Sequence, residues 1–268
     1  MTMARPSWVD RFVAPTVERI GDGAVSAAEE AGGIAILAGQ VLRALVPPRL
    51  DGRELWRNLY KMGVLSVPIV SLTAFFTGGI MLIQSGMFVR RFGAYGLLGW
   101  GTGYAVFREV GPILIALMFS GRVGSNNTAE LGTMTVTEQL DGLRSLAIDP
   151  ISFLIVPRVV AMMIMLFCLT VIGDLVAICG GGLFGKLLLD VDYATFYYSF
   201  ADNLKPWDLG HGLIKSAIFG LVIALSSCHF GVTVRGGAVG VGHAVNNAVV
   251  AAAVGIMLLD YFLTYLLP

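Results

Sequence analysis

Apolar residues in this chain fall into five long blocks separated by polar connectors, and block length is the first physical clue. A helix rises 1.5 Å per residue, so crossing a hydrocarbon core takes about 20 apolar residues. Met62–Val89 runs without a charge and predicts the first span. A second is expected from about Leu97 to Gly121, interrupted by Arg108-Glu109. A third runs from Ile151 to about Gly181, with Arg158 near its start and Asp174 inside. Gly210–Val232 carries Lys215, and Ala244–Leu267 carries Asp260. Upstream, residues 31–42 (AGGIAILAGQVL) are too short an apolar run to span, and Pro47-Pro48 follow, which suits an interfacial or re-entrant helix. Residues 51–62 place Leu55, Trp56, Leu59 and Tyr60 on one helical face and Arg53, Arg57 and Lys61 elsewhere, as a helix at headgroup level does. The pattern therefore predicts an all-α integral membrane protein. Residues 1–61 form an interfacial segment, and residues 62–268 form a transmembrane domain of five helices.

Composition agrees. Hydrophobic residues make up 56% and charged residues 13%, whereas soluble domains carry about 25% charged residues. Mean hydropathy is +0.78. A disordered chain, a collagen and a nucleic-acid-binding surface are excluded, and 18 basic against 18 acidic residues leave no field for a polyanion. Basic residues also set the orientation. Twelve lie on the side of the N-terminus: eight from Arg5 to Lys61, then Arg122, Arg144, Arg158 and Arg235. Four (Arg90, Arg91, Lys186 and Lys205) lie opposite. The N-terminus is thus expected in the cytoplasm and the C-terminus in the periplasm. Residues 1–30 contain no apolar core of a signal peptide. Cys168, Cys179 and Cys228 sit in apolar runs and His211, His229 and His243 are isolated, so no metal site is expected.

Two features carry candidate chemistry. Arg122–Pro150 is a long polar connector in which Val136, Leu140, Leu143 and Ala147 recur at helical spacing, with Glu138, Asp141 and Arg144 on another face. Asp149-Pro150 should end that helix, expected at about 133–148. By itself it reads equally as a cap on the bundle or as a docking helix. The second feature is charge in the bilayer, where each ion costs roughly 3 kcal/mol on insertion scales. Arg108, Glu109 and Lys215 lie at similar depth, as either a polar pocket or an internal ion pair. Two cations and one carboxylate would make a net positive site suited to phosphate. Asp174 is expected to hydrogen-bond within the bundle, and Asp260 has no evident partner. The stretch GGGLFGKL (residues 180–187) satisfies part of a phosphate-binding loop, but Leu187 stands where a magnesium-holding Ser or Thr is needed, so its glycines are read as helix-packing residues. Aromatic residues Tyr193, Phe196, Tyr197, Tyr198, Phe200 and Trp207 suggest an interfacial belt or a docking surface.

The motifs REVGP (Arg108–Pro112), SGRVGS…TAELGTM (Ser120–Met134) and EQLDGLRSLAIDP (Glu138–Pro150) resemble those of the MlaE/YrbE permeases. LIKS (Leu213–Ser216) and LDYFLT (Leu259–Thr264) extend the likeness, which runs from about Leu59 to the C-terminus. The resemblance implies a subunit of a lipid-transporting ABC system in the bacterial inner membrane. It implies a homodimer working with cytoplasmic ATPase subunits and a periplasmic MCE-domain protein, with a small cytoplasmic accessory subunit as a further candidate. It also implies that Arg108, Glu109 and Lys215 line a phospholipid cavity. Glu138, Leu140, Asp141, Leu143 and Arg144 would couple to the ATPase, and no cofactor or ATPase site would lie in this chain. The rival class is an ion-coupled secondary transporter or channel. Five spans without an inverted repeat argue against it.

Overall fold

Inside a bilayer every backbone polar group needs a partner within its own segment, and the helix supplies one. The computed structural model describes residues 14–45, 52–93 and 95–267 and contains no strand among them. Residues 1–13 and Pro47-Pro48, on which part of the N-terminal reading rests, lie outside the described residues.

Helix α1 (Ala14–Ala44) is continuous, so the apolar stretch 31–42 is its C-terminal part. Leu37 and Val41 are buried, while Ile36 and Leu42 are each 66% exposed. In α2 (Gly52–Met62) the sequence-based face needs correction. Glu54, Asn58 and Met62 turn inward, Leu55 and Leu59 pack at the core margin, and Trp56 and Tyr60 point out. A short 3₁₀ turn leads into α3 (Val67–Phe92), which ends at Gly93 with φ 68°, the left-handed conformation that glycine adopts without strain.

The second span is longer than its apolar run. It comprises α4 (Leu98–Ala105), α5 (Gly111–Phe119) and α6 (Ser125–Val136), joined by π-helical turns at Val106–Val110 and Ser120–Gly124. The rod continues well past the expected end at Gly121. Its polar side chains fold back on the helix: Thr128, Thr133 and Thr135 donate to the carbonyls four residues earlier at 3.0, 2.8 and 2.9 Å. The expected single helix at 133–148 is divided. After α6, Glu138 takes φ 59°, and α7 (Gln139–Ser145) starts in a new direction. Ala147 (φ 59°) ends it.

A third π turn (Ile151–Ile155) opens α8 (Val156–Leu189), followed by α9 (Tyr193–Asn203), α10 (Pro206–Val232) and α11 (Gly237–Leu266). Two of the three π turns stand just before a proline, Pro112 and Pro157. Proline has no N–H and its ring crowds the carbonyl one turn back, and a widened turn relieves both. Among the described residues, five helical stretches are long and apolar enough to cross a membrane, and the protein is a multi-pass membrane protein.

The most extensive helix pair is α3 with α8. A Cβ on Gly78 would stand 1.8 Å from the Ala177 carbonyl, and one on Gly180 2.3 Å from that of Phe75. The glycines of the GGGLFGKL stretch therefore serve helix approach, as small residues do in bilayers. Phe119, Phe219 and Met162 centre the core toward α7. Leu82, Phe107 and Phe196 centre it toward α9. The α9 aromatics divide: Phe196 is buried and Phe200 meets Phe107 edge-on at 5.6 Å, whereas Tyr198 faces out, as does Trp207 at the start of α10.

Candidate functional site

The π turn at Val106–Val110 projects Arg108 and Glu109 toward α10. Gly212 permits this, because a Cβ there would stand 1.9 Å from the Phe107 carbonyl. One turn further along α10, Lys215 is fully buried. Its Nζ donates to Glu109 Oε2 and to Thr264 Oγ1, both at 2.7 Å. Asp260 Oδ1 lies 2.9 Å away as an ion pair, off the donor directions. Thr264 in turn donates to Glu109 Oε1 at 3.1 Å. The ammonium is thus shared between two carboxylates and a hydroxyl, the kind of partnering a buried ion requires.

Arg108 belongs to an adjoining network. Its Nη1 donates to the Tyr104 hydroxyl at 2.9 Å and its Nη2 to the Leu267 carbonyl at 3.1 Å. The guanidinium lies 5.2 Å from the Tyr104 ring centre, a cation–π distance. Asp208 Oδ1 is 3.6 Å from Nη1. His211 Nε2 approaches the same Leu267 carbonyl at 2.8 Å, so the residue that follows α11 is tied to the π turn and to α10 together.

The three residues singled out in the sequence do meet, but the expected net positive balance does not hold. Asp208 and Asp260 join Glu109, giving three carboxylates against Arg108 and Lys215. Both had a legible signal. Asp208, His211 and Lys215 follow i, i+3, i+7 spacing on one face of α10, and Asp260 and Thr264 are one turn apart on α11. Asp174 departs from expectation in the other direction. It is buried between α3, α5 and α8, and neither of its carboxylate oxygens has a partner among the described residues.

At the far end of the bundle the α7 residues take separate roles. Leu140 is buried, so it anchors α7 to the protein and is not part of an outward strip. The exposed apolar side chains are Val136, Leu146 (70%) and Ile148. Asp141 and Arg144 form a solvent-exposed pair at 2.8 Å, Leu143 is half-buried, and Glu138 sits at the turn. Asp149 caps the next segment, accepting from the Ile151 and Ser152 N–H groups at 3.2 Å each and from the Ser152 hydroxyl at 2.7 Å. Burial alone would raise its carboxyl pKa, but these bonds and the Arg144 charge outweigh it and hold the group below its ordinary range.

The family model of the permease MlaE matches residues 55–266. A probable ABC transporter permease protein of Rickettsia conorii is 36% identical over 247 residues, covering 92% of this chain and 95% of the relative. The chloroplastic protein TRIGALACTOSYLDIACYLGLYCEROL 1 of Arabidopsis thaliana is 37% identical, covering 86% of this chain and 66% of the relative. The intermembrane phospholipid transport system permease protein MlaE of Haemophilus influenzae is 32% identical, covering 78% of this chain and 80% of the relative.

Proposed function

Because the chain belongs to the MlaE permease family, we propose that it is the membrane subunit of an ATP-driven phospholipid transporter whose hydrolysis is done by a separate ATP-binding subunit. The observation that carries the reading is a cluster of three carboxylates, an arginine and a lysine held inside a five-span bundle, at the end remote from α7. Ions in a membrane interior mark substrate paths more often than packing. Glu109 is the most accessible member, its side chain 35% exposed, and Arg108 and Asp260 follow at 15% each. Lys215 works from behind, fixing Glu109. A lipid phosphate would compete with Asp208 for the Arg108 guanidinium, and the 3.6 Å pair is the loosest contact in the cluster.

At the other end α7 is the coupling element. Leu140 and Leu143 seat it, and the Asp141–Arg144 pair, Glu138 and the exposed Leu146 and Ile148 present it to the ATPase. The permease works as a homodimer in the bacterial inner membrane, N-terminus inside and C-terminus outside. A periplasmic MCE-domain protein docks by α9 and the start of α10, where Tyr198 and Trp207 are 69% and 53% exposed, and a small accessory subunit joins on the cytoplasmic side. The deciding experiment is purification from detergent followed by reconstitution. Co-purification of an ATP-binding subunit and lipid transfer that depends on ATP support this reading. Transfer driven by an ion gradient without ATP would favour the secondary transporter instead.

A further inference from the structure

The α7 end of the bundle holds a second ionic cluster that the Lys215 site does not use. Arg158, beside Pro157 at the start of α8, is 2% exposed. Its Nη1 donates to Asn127 Oδ1 at 2.8 Å and its Nη2 to Glu130 Oε1 at 3.1 Å. Its Nε has no partner among the described residues. Lys61, at the end of α2, bonds the other oxygen of the same Glu130. Arg122, projected by the Ser120–Gly124 turn, donates to the Leu65 carbonyl.

Between these groups opens a cavity of about 350 Å³, lined by Lys61, Leu65, Arg122, Asn126, Asn127 and Glu130. Three cations gather around one carboxylate, so the cleft and its wall keep a surplus of positive charge. Glu130 serves Lys61 and Arg158, and Arg122 is satisfied by a carbonyl alone. The exposed amide of Asn126 adds neutral donors. Such a cleft fits an anion with several acceptor oxygens, which a guanidinium binds in a fork.

Below the mouth the surface is apolar. Leu65, Ile69, Leu72 and Phe76 recur at helical spacing on the outward face of α3 and its leading turn, 48, 44, 60 and 52% exposed. Trp56 and Tyr60 stand exposed on the neighbouring α2, as aromatics do at a membrane interface. Phosphate oxygens in the cleft would leave acyl chains lying on this stripe.

We propose that the cleft between α2, the Ser120–Gly124 turn and α6 binds the phosphate of an anionic glycerophospholipid drawn from the leaflet at the α7 face. The site lies at the opposite end of the bundle from Lys215. It rests on the placement of the spans in a membrane, not on the reading of the Lys215 cluster.

The test places p-benzoylphenylalanine at Asn126 of the full chain, in phosphatidylcholine vesicles doped with radiolabelled phosphatidylglycerol. Illumination should label the protein. Arg122→Gln should lower the yield about tenfold, as loss of one charge-assisted phosphate contact does, and Arg122→Lys should restore much of it. Melting temperatures of both variants guard against misfolding. Tyr198→Ala, an exposed change at the opposite end of the bundle, should leave labelling at position 126 intact, which shows that the Arg122 effect is local. Inorganic phosphate at constant ionic strength should not compete. Competition would replace the lipid by soluble phosphate, and equal labelling from radiolabelled phosphatidylcholine would remove the selectivity for anionic lipid. No labelling, or labelling indifferent to Arg122, would overturn the site.

Discussion

Lys215→Met tests whether the buried cluster is held by its one central cation. The side chain is fully buried, and its Nζ stands 2.7 Å from Glu109 and 2.9 Å from Asp260. Removing it leaves two carboxylates facing each other with no cation between them, and Thr264 loses the donor it accepts from. Breaking a buried pair from one side costs about 3–5 kcal/mol. Glu109 is 35% exposed, so water relieves part of that penalty and the lower end, about 3 kcal/mol, is expected. At about 2–4 °C per kcal/mol for a chain of this size, the melting temperature should fall by roughly 6–12 °C. The assay is thermal unfolding in nanodiscs, with Glu109→Gln and Asp260→Asn added singly and together to the Lys215→Met background. If the penalty is carboxylate repulsion, the triple variant should regain most of the loss, while Glu109→Gln alone in the native background should be destabilising. An unchanged melting temperature for Lys215→Met, or a triple variant no better than the single, would refute the electrostatic account.

Three further outcomes follow from the geometry. Leu146→Asp should weaken ATPase binding while leaving stability within about 0.5 kcal/mol of native; Leu140→Asp, placing a charge in the core, should lower stability itself, and identical behaviour of the two would contradict the assigned roles. Gly78→Ala forces a Cβ to 1.8 Å from the Ala177 carbonyl, so the α3–α8 pair must separate at a cost of about 3 kcal/mol, read as reduced yield and melting temperature; a native-like melt would show the contact to be slack. The depressed Asp149 carboxyl stabilises its cap fully above the unfolded value of 3.8 and loses that contribution as pH falls through its lower folded value. Proteolysis near Ile148 should therefore accelerate only in strong acid, and Asp149→Ala should show the faster cleavage already at neutral pH.

A single chain exposed much of this fold because the bilayer is a simple solvent. Twenty apolar residues in a row mean a crossing, so the five spans were legible from hydropathy alone, as were the membrane class and the ions at Arg108, Glu109 and Lys215. Legibility failed where that rule does not apply. The polar continuation of the second span to Val136 was hidden because its threonines satisfy themselves on the helix backbone, which a hydropathy window scores as loop. The break at Glu138 is a backbone event, a φ of 59° on an ordinary residue, and apolar periodicity runs straight through it. Leu140 and Leu146 look alike as sequence, and only packing makes one an anchor and the other a free surface.

The ionic cluster divides along the same line. The sequence by itself determined which helices carry charge and at what depth, because depth is a count of residues times the rise of a helix. It could not determine charge balance, since Asp260 is far from Lys215 along the chain and reaches it only when α11 closes against α10 and the π turn. Whether Lys215 meets one carboxylate or two is a property of that closure. Gly212 lets the helices touch, and a side chain there would push α10 off the Phe107 carbonyl and so move Lys215 away from Glu109. Hydropathy is a sum over one segment and survives without tertiary structure. An ion pair falls off with distance, and distance between segments exists only once the helices are packed.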